Sequence, residues 1–181
     1  MNSIIHVPND ILTSLTRTVI HFDKKLEHLV SEMKKILLVA QKPKGVGLSA
    51  NQIGEPYSVF ITKPTTNSEI CTFTNPKIIK QVDESPKKDE EIKDDGKLEG
   101  CLSIPDIWGH VHRAKEITLQ YQDINGKKYE ETITGFLAQI VQHETDHING
   151  ILFSERVVEQ KGKFFHSATI NGKNVLKEIV L

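Results

Sequence analysis

One stretch of the chain decides its fold, and it reads Gln142-His143-Glu144-Thr145-Asp146-His147. It contains the pattern H-E-x-x-H and follows an apolar run at residues 136–141. On a helix, His143 and His147 lie one turn apart on the same face, so their two imidazoles can bind one metal ion. Glu144 is turned from His143 by roughly 100°, near enough to move a proton of a water molecule at that ion.

A purely structural explanation of this stretch is a pair of core histidines that only satisfy hydrogen bonds. With eight histidines in the chain, H-E-x-x-H also arises by chance with a probability on the order of a few per cent. One stripe of the predicted helix, which we expect to face inward, carries Phe136, Ile140, His143 and His147. Burying two imidazoles and a carboxylate without partners costs several kcal/mol, which a metal ion would offset. The pattern therefore favours a metal site.

The composition predicts one soluble globular domain covering residues 1–181, because a chain of this length can bury a sizeable core. The net charge of -1 argues against nucleic-acid binding driven by bulk charge. No apolar run reaches membrane-spanning length, and the N-terminal residues do not form a secretory signal. Cys71 and Cys101 are too few for a disulfide framework. We therefore expect a cytoplasmic protein with a reduced thiol available as a ligand.

The first half of the sequence predicts an N-terminal helix followed by short strands. Asp23 is a typical N-cap, and apolar residues then recur at helical spacing, so we expect the helix to end before Pro43. A break at Asn75-Pro76 separates two of the strands predicted at residues 58–62, 71–74 and 78–82. Residues 83–97 mix charges of both signs and predict a solvated surface loop.

The second half predicts strands on either side of the H-E-x-x-H helix. The predicted strands cover residues 111–113, 116–122 and 128–133, and Asn125-Gly126 joins the last two in a hairpin. Thr134 suits the N-cap of the helix, and Gly150 suits the position after its C-cap. After the helix we expect extended chain at residues 151–153, 163–165 and 174–181, a turn at Asn171-Gly172, and no long amphipathic helix.

A glycine-rich segment precedes the first strands and reads Gly45-Val46-Gly47-Leu48-Ser49-Ala50-Asn51-Gln52. It lacks the G-K-[ST] ending of a phosphate loop and the G-x-G-x-x-G pattern of dinucleotide-binding folds. Its glycines would instead let a ligand lie against the backbone. Gln52 would then present two amide donors at the end of the loop, although a lone glutamine is more often structural.

Cys101 lies in a segment that reads Leu98-Glu99-Gly100-Cys101-Leu102-Ser103-Ile104-Pro105. A cysteine in such surroundings is often a small buried hydrophobe. Given the histidine pair downstream, it is also the natural third metal ligand. One thiolate and two imidazoles would leave the fourth position of a metal ion open to water.

These three segments resemble, in the same order, the motifs of the peptide deformylase family. That family shows a G-x-G-L-A/S-A-x-Q loop, an E-G-C-L-S segment and a Q-H-E-x-D-H helix. Each motif alone is weak to moderate evidence, whereas all three in order are specific, and the resemblance runs from the first long helix to Phe153. It implies an α+β fold in which antiparallel sheets pack around a central helix bearing H-E-x-x-H, with an N-terminal helix.

The resemblance also implies an activity. Such an enzyme is a metal-dependent hydrolase of protein biosynthesis that removes the formyl group from N-formyl-methionine on nascent peptides and releases formate. The implied metal ligands are Cys101, His143 and His147, and Glu144 corresponds to the general acid and base. Gln52 and the backbone N–H of Leu102 correspond to the oxyanion donors. The ion is typically Fe(II), often replaced by Zn, Ni or Co, and the mixed thiolate and imidazole set is compatible with all of them.

On the substrate side, the resemblance implies that Gly47 and the segment around Gly100 pair with an extended peptide. Val46, Phe136 and Ile140 are apolar candidates for the methionine pocket, or are plain core residues. The implied partner is a nascent formyl-methionyl peptide, with transient contact to the ribosome. We expect no membrane partner and no direct nucleic-acid binding.

Two departures from the family pattern affect these expectations. Many members carry an arginine near the site after the segment that matches Ser103-Ile104-Pro105, whereas this chain has residues 106–110 there and then Arg113. The sequence therefore does not predict which charged residue of this chain contacts the substrate. Many bacterial members also end in a long helix, which this sequence does not predict, so docking to the ribosome through such a helix is not expected.

Two other classes of function fit part of the pattern. A zincin-type metalloprotease would take its third ligand from a histidine at position 153, where this chain has Phe153. It could also use a downstream glutamate, for which the candidates are Glu155, Glu159 and Glu178. A non-enzymatic relative would keep the fold and bind peptides, which the complete set of chemical residues disfavours. Metal binding through Cys101 distinguishes the deformylase from the protease, and formate release distinguishes it from the binding protein.

Overall fold

Two antiparallel sheets and three α-helices form the part of the chain that the computed structural model describes, which comprises residues 3–40, 44–82, 98–170 and 173–180. The helices are α1 (Lys24–Val39), α2 (Gly135–Ile148) and α3 (Phe153–Glu159). The strands are β1 (Gly47–Ser49), β2 (Val59–Thr62), β3 (Cys71–Val82), β4 (Leu98–Cys101), β5 (Ile104–His110), β6 (Glu116–Gln122), β7 (Lys128–Thr134), β8 (Phe164–Ile170) and β9 (Lys173–Ile179). Short 3-10 helices cover Asp10–Leu12 and Ala50–Ile53.

The five-stranded sheet has the order β1-β2-β3-β6-β7, and the four-stranded sheet has the order β4-β5-β8-β9. All of these strand pairs are antiparallel. The predicted α+β class with antiparallel sheets is confirmed. Strands β1 and β4 each end a sheet, so one edge of each pairs with no other strand of the described residues and can accept another extended chain.

The N-terminal helix forms where the sequence predicted it. The Asp23 carboxylate accepts hydrogen bonds from the backbone N–H groups of Lys25 and Leu26 and so caps the first turn. One face of the helix is buried in the core through Leu26, Val30, Met33 and Leu37. This face packs with β1 and β2, including Leu48 and Ile61. Helix α1 ends at Val39, and Pro43 lies outside the described residues.

Helix α2 carries residues 143–147 and packs against β1, β2, β3 and β7 of the five-stranded sheet. Thr134 occupies the predicted N-cap position, although its side chain makes no capping hydrogen bond. Gly150 follows the C-cap with a φ of 74°, as predicted. A Cβ at Gly150 would lie 2.7 Å from the backbone carbonyl of Thr13, so both backbone conformation and space require glycine there.

The predicted break at Asn75-Pro76 is wrong, because β3 is one continuous strand. The strand absorbs this dipeptide in an irregularity between Thr74 and Lys77, where a proline without an N–H does no harm to the ladder. Asn75 has a φ of 50°, and its side-chain amide bonds both the N–H and the carbonyl of Val19. Asparagine tolerates this left-handed conformation better than most residues.

The strand predicted at residues 111–113 is also wrong, since β5 runs earlier in the chain and ends at His110. The backbone after it bonds to side chains instead of to a neighbouring strand. His112 N–H donates to the amide oxygen of Gln160, and Ala114 N–H donates to that of Gln142. Hydrogen bonds from the backbone to distant side chains produce no periodic pattern of apolar residues, so the sequence does not reveal them.

The region after α2 contains a short helix that the sequence pattern did not predict. In α3, the Glu155 carboxylate accepts a hydrogen bond from the backbone N–H of Leu152, and Phe153 and Val157 are buried. The prediction of extended chain at residues 151–153 is wrong at Phe153, where α3 begins, whereas the extended chain predicted further on forms the hairpin of β8 and β9. The predicted turn at Asn171-Gly172 and the predicted loop at residues 83–97 lie outside the described residues. No helix within the described ranges is long and apolar enough to cross a membrane.

Candidate metal centre and active site

The side chains of Cys101, His143 and His147 converge on one point, and their ligand atoms all lie within 4.8 Å of one another. Cys101 Sγ is 3.1 Å from His147 Nε2. The cysteine is the last residue of β4, and the two histidines lie one turn apart on α2. Contact between the four-stranded sheet and α2 therefore assembles the three residues that the sequence singled out.

Glu99 orients the first histidine of the cluster. Its Oε2 atom lies 3.0 Å from His143 Nδ1, which turns the other ring nitrogen of His143 toward the cluster. Arg113 holds the same carboxylate with two hydrogen bonds, from Nε at 2.9 Å and from Nη2 at 3.0 Å. Sequence reasoning did not assign a role to Glu99. No local signal in the sequence could have indicated one, because the partners of Glu99 lie 14 and 44 residues further along the chain.

Arg113 is itself held by a second carboxylate, on α2. Its Nη1 atom donates to Asp146 at 2.6 Å, and Asp146 also accepts hydrogen bonds from Arg156 on α3 at 2.7 and 3.1 Å. Although burial alone would raise the pKa of Asp146, the hydrogen bond from Arg156 and the charge of Arg113 lower it. These paired charges fix Arg113, and through it Glu99, relative to the helix that bears both histidines.

The electrostatics of the cluster favour a thiolate. Burial opposes ionisation of Cys101, but the charge of His147 and hydrogen bonds from both histidines hold the cysteine pKa well below its usual range. The thiolate is the form of cysteine that binds metals. Burial likewise opposes protonation of His143, whereas its hydrogen bonds to Cys101 and Glu99 raise its pKa well above the usual value.

The donor set fits a divalent metal ion. One thiolate and two imidazole nitrogens form the ligand set of catalytic sites that keep a fourth position open. Beside the cluster, Glu144 is 4% exposed, and its Oε2 atom has no hydrogen-bond partner among the described residues. A buried carboxylate oxygen without a partner is costly and fits a site that receives a water molecule or a substrate.

Burial sets the protonation of Glu144, since it raises the pKa of this carboxyl to about 7. A pKa near neutrality suits a group that must both accept and donate a proton. The backbone of Gly47 on β1 lies against the same carboxylate, and a Cβ there would overlap with Glu144 Oε1. Position 47 therefore requires glycine for this close approach.

Gln52 lies in the 3-10 helix after β1 and is buried. Its amide oxygen accepts a hydrogen bond from the Ser49 N–H at 2.9 Å. Its amide nitrogen lies 3.4 Å from Cys101 Sγ and 3.1 Å from Ser103 Oγ. The side chain is thus fixed with its donors directed at the cluster.

A cavity of about 230 Å³ opens beside the cluster, with Cys101 and His143 in its wall, and an edge of each sheet contributes to it. The residues predicted to bind substrate all line it, together with Leu102, and these are Val46, Gly47, Gly100, Phe136 and Ile140. Ile140 is 4% exposed, as expected for the inward stripe of the helix, but Phe136 is 43% exposed. The prediction that Phe136 faces inward is wrong, because it lies in the first turn of α2 at the mouth of the cavity.

Neither ligand set of a zincin-type protease is assembled. Phe153 is 1% exposed in the core. The three candidate glutamates bond elsewhere: Glu155 to Leu152, Glu159 to Arg156 and Glu178 to Lys163. Within the described ranges, the cysteine and two histidines are the one group of three or more such side chains close enough to hold an ion.

The family model for polypeptide deformylase matches this sequence over residues 1–163. The chain belongs to the polypeptide deformylase family. The match extends beyond the region between the first long helix and Phe153 in which the three motifs occur. Deformylases are hydrolases that remove the N-formyl group from nascent peptides, and family membership assigns this reaction to the chain.

Individual deformylases are similar along most of their length. The peptide deformylase of Rhodopirellula baltica is 35% identical over 161 residues, which cover 87% of this chain and 74% of that protein. Peptide deformylase 1 of Bacillus cereus is 36% identical over 154 residues, which cover 85% of this chain and 90% of the relative. Among solved structures, the Thermotoga maritima peptide deformylase superposes with a TM-score of 0.74 at 29% identity, covering 86% of this chain and 97% of that one.

Glu99→Gln should weaken metal binding of this deformylase by about 10- to 100-fold, the usual cost of losing a carboxylate that orients a ligand histidine. Competition with a chromophoric chelator measures the affinity. Gln139→Ala is a matched control, because Gln139 donates a weaker hydrogen bond, at 3.3 Å, to the same carboxylate. An unchanged affinity in Glu99→Gln would show that Glu99 does not orient His143.

The same variant should alter the acid stability of the metal-free protein. Burial opposes ionisation of Glu99, but hydrogen bonds from His143 and Arg113 lower its pKa to about 2. Because the pKa is lower in the folded state, the stabilisation of about 3 kcal/mol is complete above pH 5 and is lost as the pH falls toward 2. Urea unfolding at several pH values should show the wild type and Glu99→Gln converging across this window. A difference in the free energy of unfolding that stays constant with pH would contradict the lowered pKa of Glu99.

Gly47→Ala should lower kcat by roughly 100-fold, because a displacement of about 1 Å at a reacting group has a cost of this size and we expect Glu144 to be such a group. The three atoms nearest to the added methyl group all belong to Glu144, so its side chain must move aside, whereas no atom of the three cluster residues is among them. Bound metal and thermal unfolding temperature, measured on the same sample, should therefore stay near the wild-type values. A near-wild-type kcat would mean that the position of Glu144 does not matter for the reaction.

Proposed function

We propose that Cys101, His143 and His147 hold one divalent metal ion and that Glu144 carries the proton in hydrolysis of the formyl group. The observation that supports this most strongly is the convergence of the three ligand atoms beside a buried carboxylate with a pKa of about 7. When bound, such an ion supplies Lewis-acid chemistry, because it lowers the pKa of water and stabilises negative charge on a carbonyl oxygen.

We infer that the resident ion is Fe(II) and that Zn, Ni or Co can replace it. A thiolate with two imidazoles accepts all four metals, so selection depends on availability as well as on geometry. The buried Glu99, which Arg113 holds in place, keeps His143 in one orientation and so favours a fixed ligand geometry over a flexible one.

Glu144 would act twice. As a carboxylate it accepts a proton from the attacking water, and as a carboxylic acid it returns that proton to the leaving amine. Formate and a free methionine amine result. A pKa of about 7 allows both forms near neutral pH.

Gln52 and Leu102 would stabilise the negative charge that develops on the formyl oxygen. The Gln52 amide nitrogen is already held beside Cys101 Sγ, and Leu102 directly follows that cysteine and lines the cavity. An aligned donor of this kind contributes about 3–4 kcal/mol to catalysis in other hydrolases.

The substrate would lie as an extended strand between the free edges of β1 and β4. Gly47 and Gly100 bring backbone close to the cavity on its two sides, and backbone hydrogen bonds would supply affinity independent of sequence. The methionine side chain would occupy the apolar part of the cavity formed by Val46, Ile140 and, at its mouth, Phe136.

We further infer that residues 1–181 form one catalytic domain with α2 at its centre. Helix α2 packs on the five-stranded sheet, and its histidines reach β4 of the other sheet. A cytoplasmic location and transient contact with the ribosome follow from a substrate that is a nascent chain. The net charge of -1 gives no reason to expect direct nucleic-acid binding.

Formate release from a formyl-methionyl tripeptide tests the proposed chemistry. Protein loaded with Fe(II) or Co(II) under anaerobic conditions should release formate in step with free amine. The His143→Ala variant, prepared identically, should lose both bound metal and turnover. If fully loaded protein released no formate, the proposed function would be wrong.

A further inference from the structure

Trp108, the single tryptophan of the chain, forms part of the cavity wall. It pairs with Gly100 across β4 and β5. Its ring lies over that glycine, because a Cβ at position 100 would be 2.9 Å from the ring atoms Cε3 and Cζ3. The absence of a side chain at Gly100 therefore lets the indole reach the cavity beside the candidate metal centre.

The two faces of β4 contribute differently to this cavity. The side chains of Glu99 and Cys101 point toward α2, where they meet His143 and His147. Because side chains alternate along a strand, Leu98 and Gly100 lie on the opposite face, and the ring of Trp108 shares that face. Residues from both faces line the cavity, which consequently wraps around the free edge of β4.

An extended peptide along this edge would also alternate its side chains. In the proposed pose the methionine side chain would lie on the α2 side, where Val46 and Ile140 line the cavity. The side chain of the second residue would then point to the other face, which carries Leu98 and the half-buried indole of Trp108. This surface is apolar and aromatic.

We propose that Trp108 contacts the side chain of the second substrate residue and makes the enzyme favour large apolar or aromatic residues there. The proposal rests on the proposed function and names the peptide class that this site takes. An indole offers a large, rigid apolar surface. An aromatic side chain stacked on it gains more interaction energy than the buried apolar area alone provides.

The test compares two substrates that differ at the second residue, formyl-Met-Phe-Ser and formyl-Met-Gly-Ser. The wild type should show a higher kcat/KM for the phenylalanine peptide, and Trp108→Ala should reduce this ratio by about 3- to 10-fold. If Trp108→Ala does not fold, Trp108→Leu is the second variant. It keeps Gly100 covered and should also reduce the ratio. Phe165→Leu is the matched control. Phe165 lies on β8, where it pairs with Trp108, and it does not line the cavity, so this variant should keep the wild-type ratio of kcat/KM values.

A second measurement uses the indole itself as the reporter. Since Trp108 is the only tryptophan, the product peptide Met-Phe-Ser should change the protein fluorescence more than Met-Gly-Ser does at saturation. Equal substrate ratios in the wild type and both Trp108 variants, or emission unaffected by the phenylalanine peptide, would overturn the role of Trp108. Failure of the wild type to release formate from either peptide would instead overturn the proposed function.

Discussion

Cys101→Ser should weaken metal binding by more than about 100-fold, beyond the range for residues that only orient a ligand. A serine hydroxyl is protonated at neutral pH and cannot replace a thiolate, whereas Cys101 is held in the thiolate form by its two histidine neighbours. The remaining two imidazoles cannot complete the three-ligand set of a catalytic site. Turnover should be lost together with the metal.

The metal content after dialysis against a chelator measures this loss directly. Cys71→Ser is the matched control, since Cys71 is the other free cysteine and is exposed on β3. That variant should retain its metal and its activity. Full retention of metal by Cys101→Ser would mean that the sulfur is not a ligand, and the protease-like ligand sets would have to be reconsidered.

Glu144→Gln should keep the metal and lower kcat by at least about 100-fold, the usual contribution of a general acid and base. Glutamine preserves the size of the side chain beside Gly47 but cannot exchange a proton. Glu99 also lines the cavity, but its hydrogen bonds with His143 and Arg113 lower its pKa to about 2, so it is a poor proton carrier near neutral pH.

Initial rates and metal content on the same preparation separate this effect from loss of the ion. Glu159→Gln serves as the control, since Glu159 is an exposed carboxylate that pairs with Arg156. Its rate should match the wild type. If Glu144→Gln retained a near-native rate, the proton would have to be carried by another group.

The core of the candidate site was predictable because its signals are local. Helical periodicity alone places residues 143 and 147 on one face, and the positions of Thr134 and Gly150 indicate where that helix begins and ends. The order of the three motifs then indicated which cysteine belongs to the histidines. The structure places Cys101 Sγ 3.1 Å from His147 Nε2, as this argument required.

The supporting structure was not predictable, because long-range contacts create it. Glu99 gains its role only when Arg113, fourteen positions later, folds back to bind it. Arg113 in turn depends on Asp146, which is thirty-three residues away. The sequence pattern also did not predict strands β4 and β5. They flank a tight turn at Leu102-Ser103 and lack a clean alternation of polar and apolar residues.

X-ray absorption on the anaerobic Fe(II) or Co(II) protein tests most directly whether one sulfur and two ring nitrogens hold a single ion. With zinc as the reference ion, the expected shell has one sulfur at about 2.3 Å and two imidazole nitrogens at about 2.0–2.1 Å. The sulfur should disappear from the spectrum of Cys101→Ser but not from that of Cys71→Ser. A wild-type shell built of nitrogen and oxygen alone would contradict the account.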